Sequence, residues 1–371
     1  MEECYADHLL GLAAFGLPGS TRPLPAGPLG EQEWAALLPA VIKHRLSGQL
    51  QSAIRAGAFP ATPQQREQAT GLHRTAAIRA MVVEGELVAT LAKLSGHGIP
   101  TRVLKGSAVA HLDYAQTAVR SFNDLDLLLR PGDFDEAVRV LVGSGLVRTL
   151  AEPRPGFDQR FDKGTTLRSP AGLELDLHRT FVLGPWGVLV DMGTLWETGE
   201  EFAVSGGVAV ALSRPNRFLH ACYHAALGDW PLRLGSLRDI AEMLPAVERD
   251  ASAVRRRAAS WGVEAIAAAA IADTLRLLGL EAGSTLRAWA VERVPNRREE
   301  TWLGLHTREN KTFAAQALAT IRALPGLRDK AAYVRALLLP DQVYTSGRHA
   351  SVLERWRYGV REIRRGRSAA R

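Results

Sequence analysis

Two short stretches constrain this chain more than any other. They are Asp124-Leu125-Asp126-Leu127-Leu128-Leu129 and Leu173-Glu174-Leu175-Asp176-Leu177-His178. Acids alternate with leucines in both, and a period of two is that of a β-strand with one face buried. Asp124 and Asp126 then share one face, while Leu125, Leu127 and Leu129 point the other way, into a core. In the second stretch Glu174, Asp176 and His178 share a face opposite Leu173, Leu175 and Leu177. If the strands are neighbours, three or four carboxylates converge. Two like charges about 4 Å apart repel by about 4 kcal/mol at an effective dielectric of 20, so the cluster calls for a cation. Hard oxygen ligands at this density suit Mg²⁺ or Mn²⁺, ions that also bridge phosphate oxygens and align an attacking oxygen with a leaving pyrophosphate.

A candidate phosphate site precedes the acids. Leu104-Lys105-Gly106-Ser107 runs from a strand into a helix. Gly106 lets the backbone approach a phosphate, the Ser107 hydroxyl and the first helical amides can donate to it, and Lys105 adds positive charge. Arg120, four residues before Asp124, can hold a phosphate with both arms of its guanidinium. A strand-borne Asp-x-Asp or a lone Lys-Gly-Ser is common by itself. Their order is more specific: strand, Gly-Ser, helix, acidic strand, second acidic strand.

The rest of the chain frames this core. Its 371 residues are 46% hydrophobic and 23% charged, ordinary for a globular protein and against disorder. Residues 1–30 are dense in Gly and Pro (LPGSTRPLPAGPLG) and read as a loosely ordered lead-in. From Glu31 to His97 the pattern is helical, interrupted at Phe59-Pro60, with Thr62 as a cap and Pro63 at the first position of the next helix. Beyond it, 99–104 reads as a strand, 106–114 as a short helix, 124–129 as a strand and 131–144 as a helix. Residues 164–178 and 202–212 read as hairpins. Helices are expected again at 214–227, 234–247, 252–262, 263–280, 312–324 and 330–338. The fold class is therefore α+β. A small α/β core with a mixed sheet (99–213) lies between an N-terminal helical region (1–98) and a C-terminal one (214–350), with a basic tail (351–371).

Here the residues resemble a known family. VLKGSAVAHLDY, VRSFNDLDLLLRPGDFDEAVRVLVGSGL and LELDLHR are similar to the uncharacterised nucleotidyltransferase branch of the polymerase-β-like nucleotidyltransferase superfamily. Upstream GELVATLAKLSGHGIPTRVLKG and downstream RPNRFLHACYHAALGDWPLRLGSLRDIAEML extend the likeness. The sixteen residues between Ser107 and Asp124 exceed the commonest superfamily spacing. The resemblance implies a two-metal enzyme that transfers a nucleoside monophosphate from an NTP, with release of pyrophosphate and two Mg²⁺ or Mn²⁺ ions. Asp124, Asp126 and Asp176 would be its catalytic, metal-binding acids, Asp176 assisting deprotonation of the acceptor. Gly106 and Ser107 would hold the triphosphate, and Lys105 and Arg120 would neutralise it. The acceptor, whether small molecule, peptide or protein, or tRNA 3′ end, is not specified by the sequence. The competing reading is a nucleotide-binding or regulatory protein of the same fold without catalysis. A third is an RNA-directed transferase that uses its basic tail.

Weaker signals surround this set. His220 and His224, four apart on a helix, share a face that could bind zinc, but no third ligand is evident; a structural role or a contact to the nucleotide fits better, and the resemblance implies that one of them lines the active-site cleft. Arg238-Asp239 on the next helix is either a surface ion pair or part of the same cleft. His178 either supports Asp176 or packs. Net charge is +7, and seven arginines fall between Arg355 and Arg371. That tail suits nucleic acid or lipid headgroups, although a terminal helix packed through Trp356, Tyr358, Val360 and Ile363 is favoured. No stretch reads as a signal peptide or a transmembrane helix, and two distant cysteines, Cys4 and Cys222, suit a reducing cytoplasm.

Overall fold

The computed structural model describes residues 5–229, 231–283, 285–307 and 313–346. Among these residues seven strands form one mixed sheet. They are β1 (Thr101–Val103), β2 (Leu125–Leu129), β3 (Val147–Arg148), β4 (Gly164–Arg168), β5 (Glu174–His178), β6 (Gly199–Val204) and β7 (Gly207–Leu212). Their spatial order is β3-β4-β5-β2-β1-β7-β6. The pairs β2/β5 and β1/β7 are parallel and the others antiparallel. The chain is mixed helix and strand, with helices before and after the sheet.

Leucine periodicity decides which face of the sheet is dry. Leu125, Leu127, Leu129, Leu173, Leu175 and Leu177 all enter one core with Val83, Leu87 and Leu94 of the helix Pro63–Gly96 and with Phe134, Ala137 and Leu141 of the helix Phe134–Gly143. Burying a leucine contributes about 1.5–3 kcal/mol, so six of them fix the register against a one-residue slip. The long helix begins where its capping chemistry places it. Thr62 Oγ1 accepts from Gln65 N at 3.2 Å, Gln65 Oε1 accepts from Thr62 N at 3.0 Å, and Pro63 occupies the first position.

The opposite face meets the helical regions. Leu104, Leu128 and Leu212 join a large core built from both ends of the chain, including Leu12, Leu37, Leu50, Phe218, Leu237 and Ile271. The lead-in departs from the expectation for residues 1–30. Asp7–Ala14 is a helix with Leu9, Leu10 and Leu12 buried. The segment after it is fastened to the end of the helix Glu264–Leu278: Ser20 Oγ donates to Leu278 O at 2.8 Å and Arg22 Nε to Leu277 O at 2.9 Å. The Gly and Pro there shape an extended strap whose polar groups find partners over 250 residues away in sequence, which local composition does not reveal.

Other differences are local. The strand expected over 99–104 shortens to Thr101–Val103, and the helix expected over 131–144 opens with a 3₁₀ turn at Pro131–Asp133. The 214–227 helix ends in a π turn at His224–Gly228. Thr285–Glu292 and Arg297–Thr307 are helices that no capping or periodic signal marked. No helix among the described residues is long and apolar enough to cross a membrane. The basic tail, 351–371, lies outside the described residues, as does Cys4.

Candidate active site

The parallel pairing of β2 with β5 sets Leu125 against Leu175, Asp126 against Asp176, Leu127 against Leu177 and Leu128 against His178. Asp126 and Asp176 therefore stand side by side on the face away from the leucine core. Asp126 is 3% exposed. Its Oδ1 lies 2.8 Å from Lys105 Nζ and 2.8 Å from His178 Nε2. Asp176 is more open; Thr166 on β4 donates to its Oδ1 at 2.5 Å, and Lys163 Nζ lies 3.9 Å from its Oδ2.

This donor set fits a divalent cation. One ligand atom each from Asp126, Asp176 and His178 falls within 4.8 Å of the others. Asp126 Oδ2 is buried with no hydrogen-bond partner, which a carboxylate avoids unless something cationic is meant to meet it. Two carboxylate oxygens with an imidazole nitrogen could together hold one divalent metal ion.

The charges are arranged to keep Asp126 ionised. Burial alone would push Asp126 up, but Lys105 and the His178 hydrogen bond hold it well below the usual carboxylate range. Burial likewise opposes the Lys105 charge, and Asp126, Asp124 and Asp176 together outweigh it and raise its pKa. Burial and the nearby Lys163 lower His178 despite its bond to Asp126. Lys105 is then the cation that compensates Asp126. Burial, followed by Lys105, also drives His220 and His224 well below the ordinary histidine value.

Asp124, just before β2, stands apart from the trio. Its carboxylate faces Arg45, with Nη1–Oδ1 at 3.4 Å and Nη2–Oδ2 at 3.5 Å. Gly106 caps the helix Ser107–Asp113 with φ 52° and ψ −115°, a conformation a side chain resists, and Ser107 is buried behind it. Arg120 is buried. It grips Asp239 with two bonds, Nε–Oδ1 at 2.8 Å and Nη2–Oδ2 at 2.6 Å, while Nη1 donates to Gly106 O at 3.0 Å. Tyr114 Oη also donates to Asp239 Oδ1 at 2.8 Å. Arg120 thus braces the Gly106 loop from behind.

Residues 30–279 match the profile of the family described as uncharacterised nucleotidyltransferase, about two thirds of the chain. The chain belongs to that family. No curated protein matches it. Among solved structures an antigenic nucleotidyltransferase-like protein from Paracoccidioides brasiliensis is similar, at 15% identity and a TM-score of 0.31, over 49% of this chain and 92% of that one.

In this family member the structure brings Lys105, Asp126, Asp176 and His178 into direct proximity. Arg238 it carries elsewhere: the guanidinium bonds Glu242 and the carbonyls of Ala13 and Phe15, holding the N-terminal helix. His220 packs edge-on against Phe181, and His224 Nε2 lies 3.6 Å from Asp229 Oδ2. Neither histidine joins a metal-type cluster among the described residues. Sequence reasoning missed Arg45, Lys163, Thr166 and Asp229. Thr166 was within reach, because pairing 164–168 with 174–178 as a hairpin sets it opposite Asp176. Arg45 carries no motif at all.

Proposed function

We propose that the protein transfers a nucleoside monophosphate from an NTP to an acceptor, with release of pyrophosphate and dependence on Mg²⁺ or Mn²⁺. The observation that carries this reading is the pairing of Asp126 with Asp176 around an unpartnered Asp126 oxygen. Asp126, Asp176 and His178 would hold a cation, with Asp124 the further acid at the cleft. A bound divalent ion there supplies charge neutralisation and alignment of the triphosphate. Gly106 and Ser107 are the triphosphate contacts, Lys105 adds charge, and Arg120 keeps the Gly106 loop in place. Asp176, the more open acid, takes the proton as the acceptor oxygen bonds to the α-phosphorus and the α–β bridging P–O bond breaks.

The helical regions on both sides of the core, 1–98 and 214–350, would form the acceptor pocket. The acceptor itself, whether a small molecule, a peptide or protein, or a tRNA 3′ end, is left to experiment. The tail beyond 350 is a candidate nucleic-acid contact. A cytoplasmic location is proposed on cysteine usage: burial pushes the Cys222 thiol far up, consistent with an inert core residue.

A second reading, nucleotide binding without catalysis, has one observation in its favour. Lys105 Nζ at 2.8 Å already supplies Asp126 with a cation. Incubation with α-labelled NTPs, Mg²⁺ or Mn²⁺ and candidate acceptors separates the two. Label transferred with stoichiometric pyrophosphate supports the enzyme. Metal-dependent nucleotide binding with no pyrophosphate from any acceptor supports the binding protein.

A further inference from the structure

Between the helices Glu31–Lys43 and Ser47–Arg55 the chain turns through Arg45, whose φ is 59°. Among the described residues only Ser205, in the β6–β7 hairpin turn, shares a positive φ without being glycine. A left-handed backbone at a long side chain persists only when its surroundings impose it, and such residues gather at functional sites.

Here the surroundings are explicit. On one side His44 O accepts from Gly235 N at 3.1 Å, and His44 Nδ1 accepts from Leu234 N at 3.2 Å. On the other, Ser47 Oγ and Ser121 Oγ are 2.7 Å apart. Gly48 presses on Val119 so closely that a Cβ would sit 2.0 Å from the Val119 carbonyl oxygen. The turn is wedged between the start of the helix Leu234–Glu248 and the segment leading into Asp124.

That wedge presents one side chain to the acids, and it is Arg45. Its two terminal nitrogens face the two Asp124 oxygens at 3.4 and 3.5 Å, the long edge of hydrogen bonding, and both side chains stay partly open at 23% and 30%. A cleft of about 170 Å³, lined by Lys43, His44, Gly228, Asp229, Pro231 and Arg233, adjoins the turn. The fork of Arg120, by contrast, is already spent on Asp239 and Gly106.

Building on the proposed transfer reaction, we propose that Arg45 is a phosphate-binding residue, delivered from the N-terminal helical region to grip the β- and γ-phosphates of the NTP. Its loose pairing with Asp124 gives way when nucleotide and cation arrive. Asp124 is then free for the cation, and the planar guanidinium fork meets phosphate oxygens, for which it is shaped.

Calorimetric titration of the full chain with inorganic pyrophosphate in Mg²⁺, and separately with Mn²⁺ alone, tests this. The proteins compared are wild type, Arg45→Gly and Arg45→Lys, each also melted thermally. Glycine accepts the left-handed turn, so Arg45→Gly keeps the fold at or near the wild-type melting temperature. Pyrophosphate affinity drops at least tenfold in Arg45→Gly and partly returns in Arg45→Lys, while affinity for Mn²⁺ alone holds or tightens. Wild-type pyrophosphate affinity in Arg45→Gly overturns the assignment and leaves the transfer reaction standing. So does a parallel loss of Mn²⁺ affinity, which would make Arg45 a support for Asp124. Wild type that binds no pyrophosphate with Mg²⁺ overturns both.

Discussion

Asp126 on β2 and Asp176 on β5 are direct partners in a parallel register, and Lys105 reaches the same Asp126 oxygen that His178 does. Six leucines on the opposite face hold that register, so the acids cannot separate without turning the core inside out. Asp126→Asn keeps shape and removes charge. We expect it to lower transfer by at least about 100-fold, because the lost ligand acts on the reacting phosphate. Circular dichroism should remain that of wild type. Label transfer within about threefold of wild type would refute the role of Asp126.

The Arg120–Asp239 pair joins segments 119 residues apart and is buried on both sides. Breaking one partner of such a pair costs about 3–5 kcal/mol, since the other charge is left unmatched. Arg120→Gln and Asp239→Asn should each lower the denaturant midpoint strongly. The double variant should be more stable than the sum of the two predicts, with a coupling of about 1–3 kcal/mol. Simple additivity would show that the pair does not act as a unit.

Gly106→Ala places a Cβ 3.4 Å from the Phe122 ring, so space is adequate and the penalty is mainly the backbone, φ 52°. A loss of about 1–3 kcal/mol is expected, together with weaker nucleotide binding. Gly98→Ala is the control: it also has positive φ, at 70°, with open space around it and no place at the cleft. It should cost stability alone. Equal effects of both on nucleotide binding would remove Gly106 from the phosphate site.

Asp158 reports on pH. Burial and the neighbouring Asp162 push it up to about 7, and Arg148 only partly opposes them. Between about pH 4 and that value the folded protein holds a proton that the unfolded chain has released. Stability from this group is therefore present at low pH and falls as pH rises through the window, on the order of 4 kcal/mol in total. Asp158→Asn cannot titrate. Its melting temperature relative to wild type should rise from pH 5 to about 7 and level off above that, and a difference independent of pH would contradict the shift.

The site was legible in the sequence where local period and burial agree. Alternating leucines gave away β2, β5 and the shared face of Asp126 and Asp176, because strand geometry leaves no other arrangement. Arg120 was harder: its proximity in sequence to Asp124 suggested phosphate contact, yet its partner, Asp239, lies on a distant helix that periodicity cannot position. Arg45 was invisible, since its placement depends on packing by Gly48, His44 and Gly235 and on no motif. The lead-in misread for the same reason, as the partners of Ser20 and Arg22 sit at the end of a helix near residue 278.

In the proposed reaction Asp126 and Asp176 hold a divalent cation for a nucleotide. Electron paramagnetic resonance of Mn²⁺ titrated into the protein, with and without each NTP, measures this directly. Wild type is expected to bind Mn²⁺, more tightly with an NTP, and both Asp126→Asn and Asp176→Asn to lose that binding. Undiminished Mn²⁺ binding in the two variants, or none in wild type with any NTP, would contradict it.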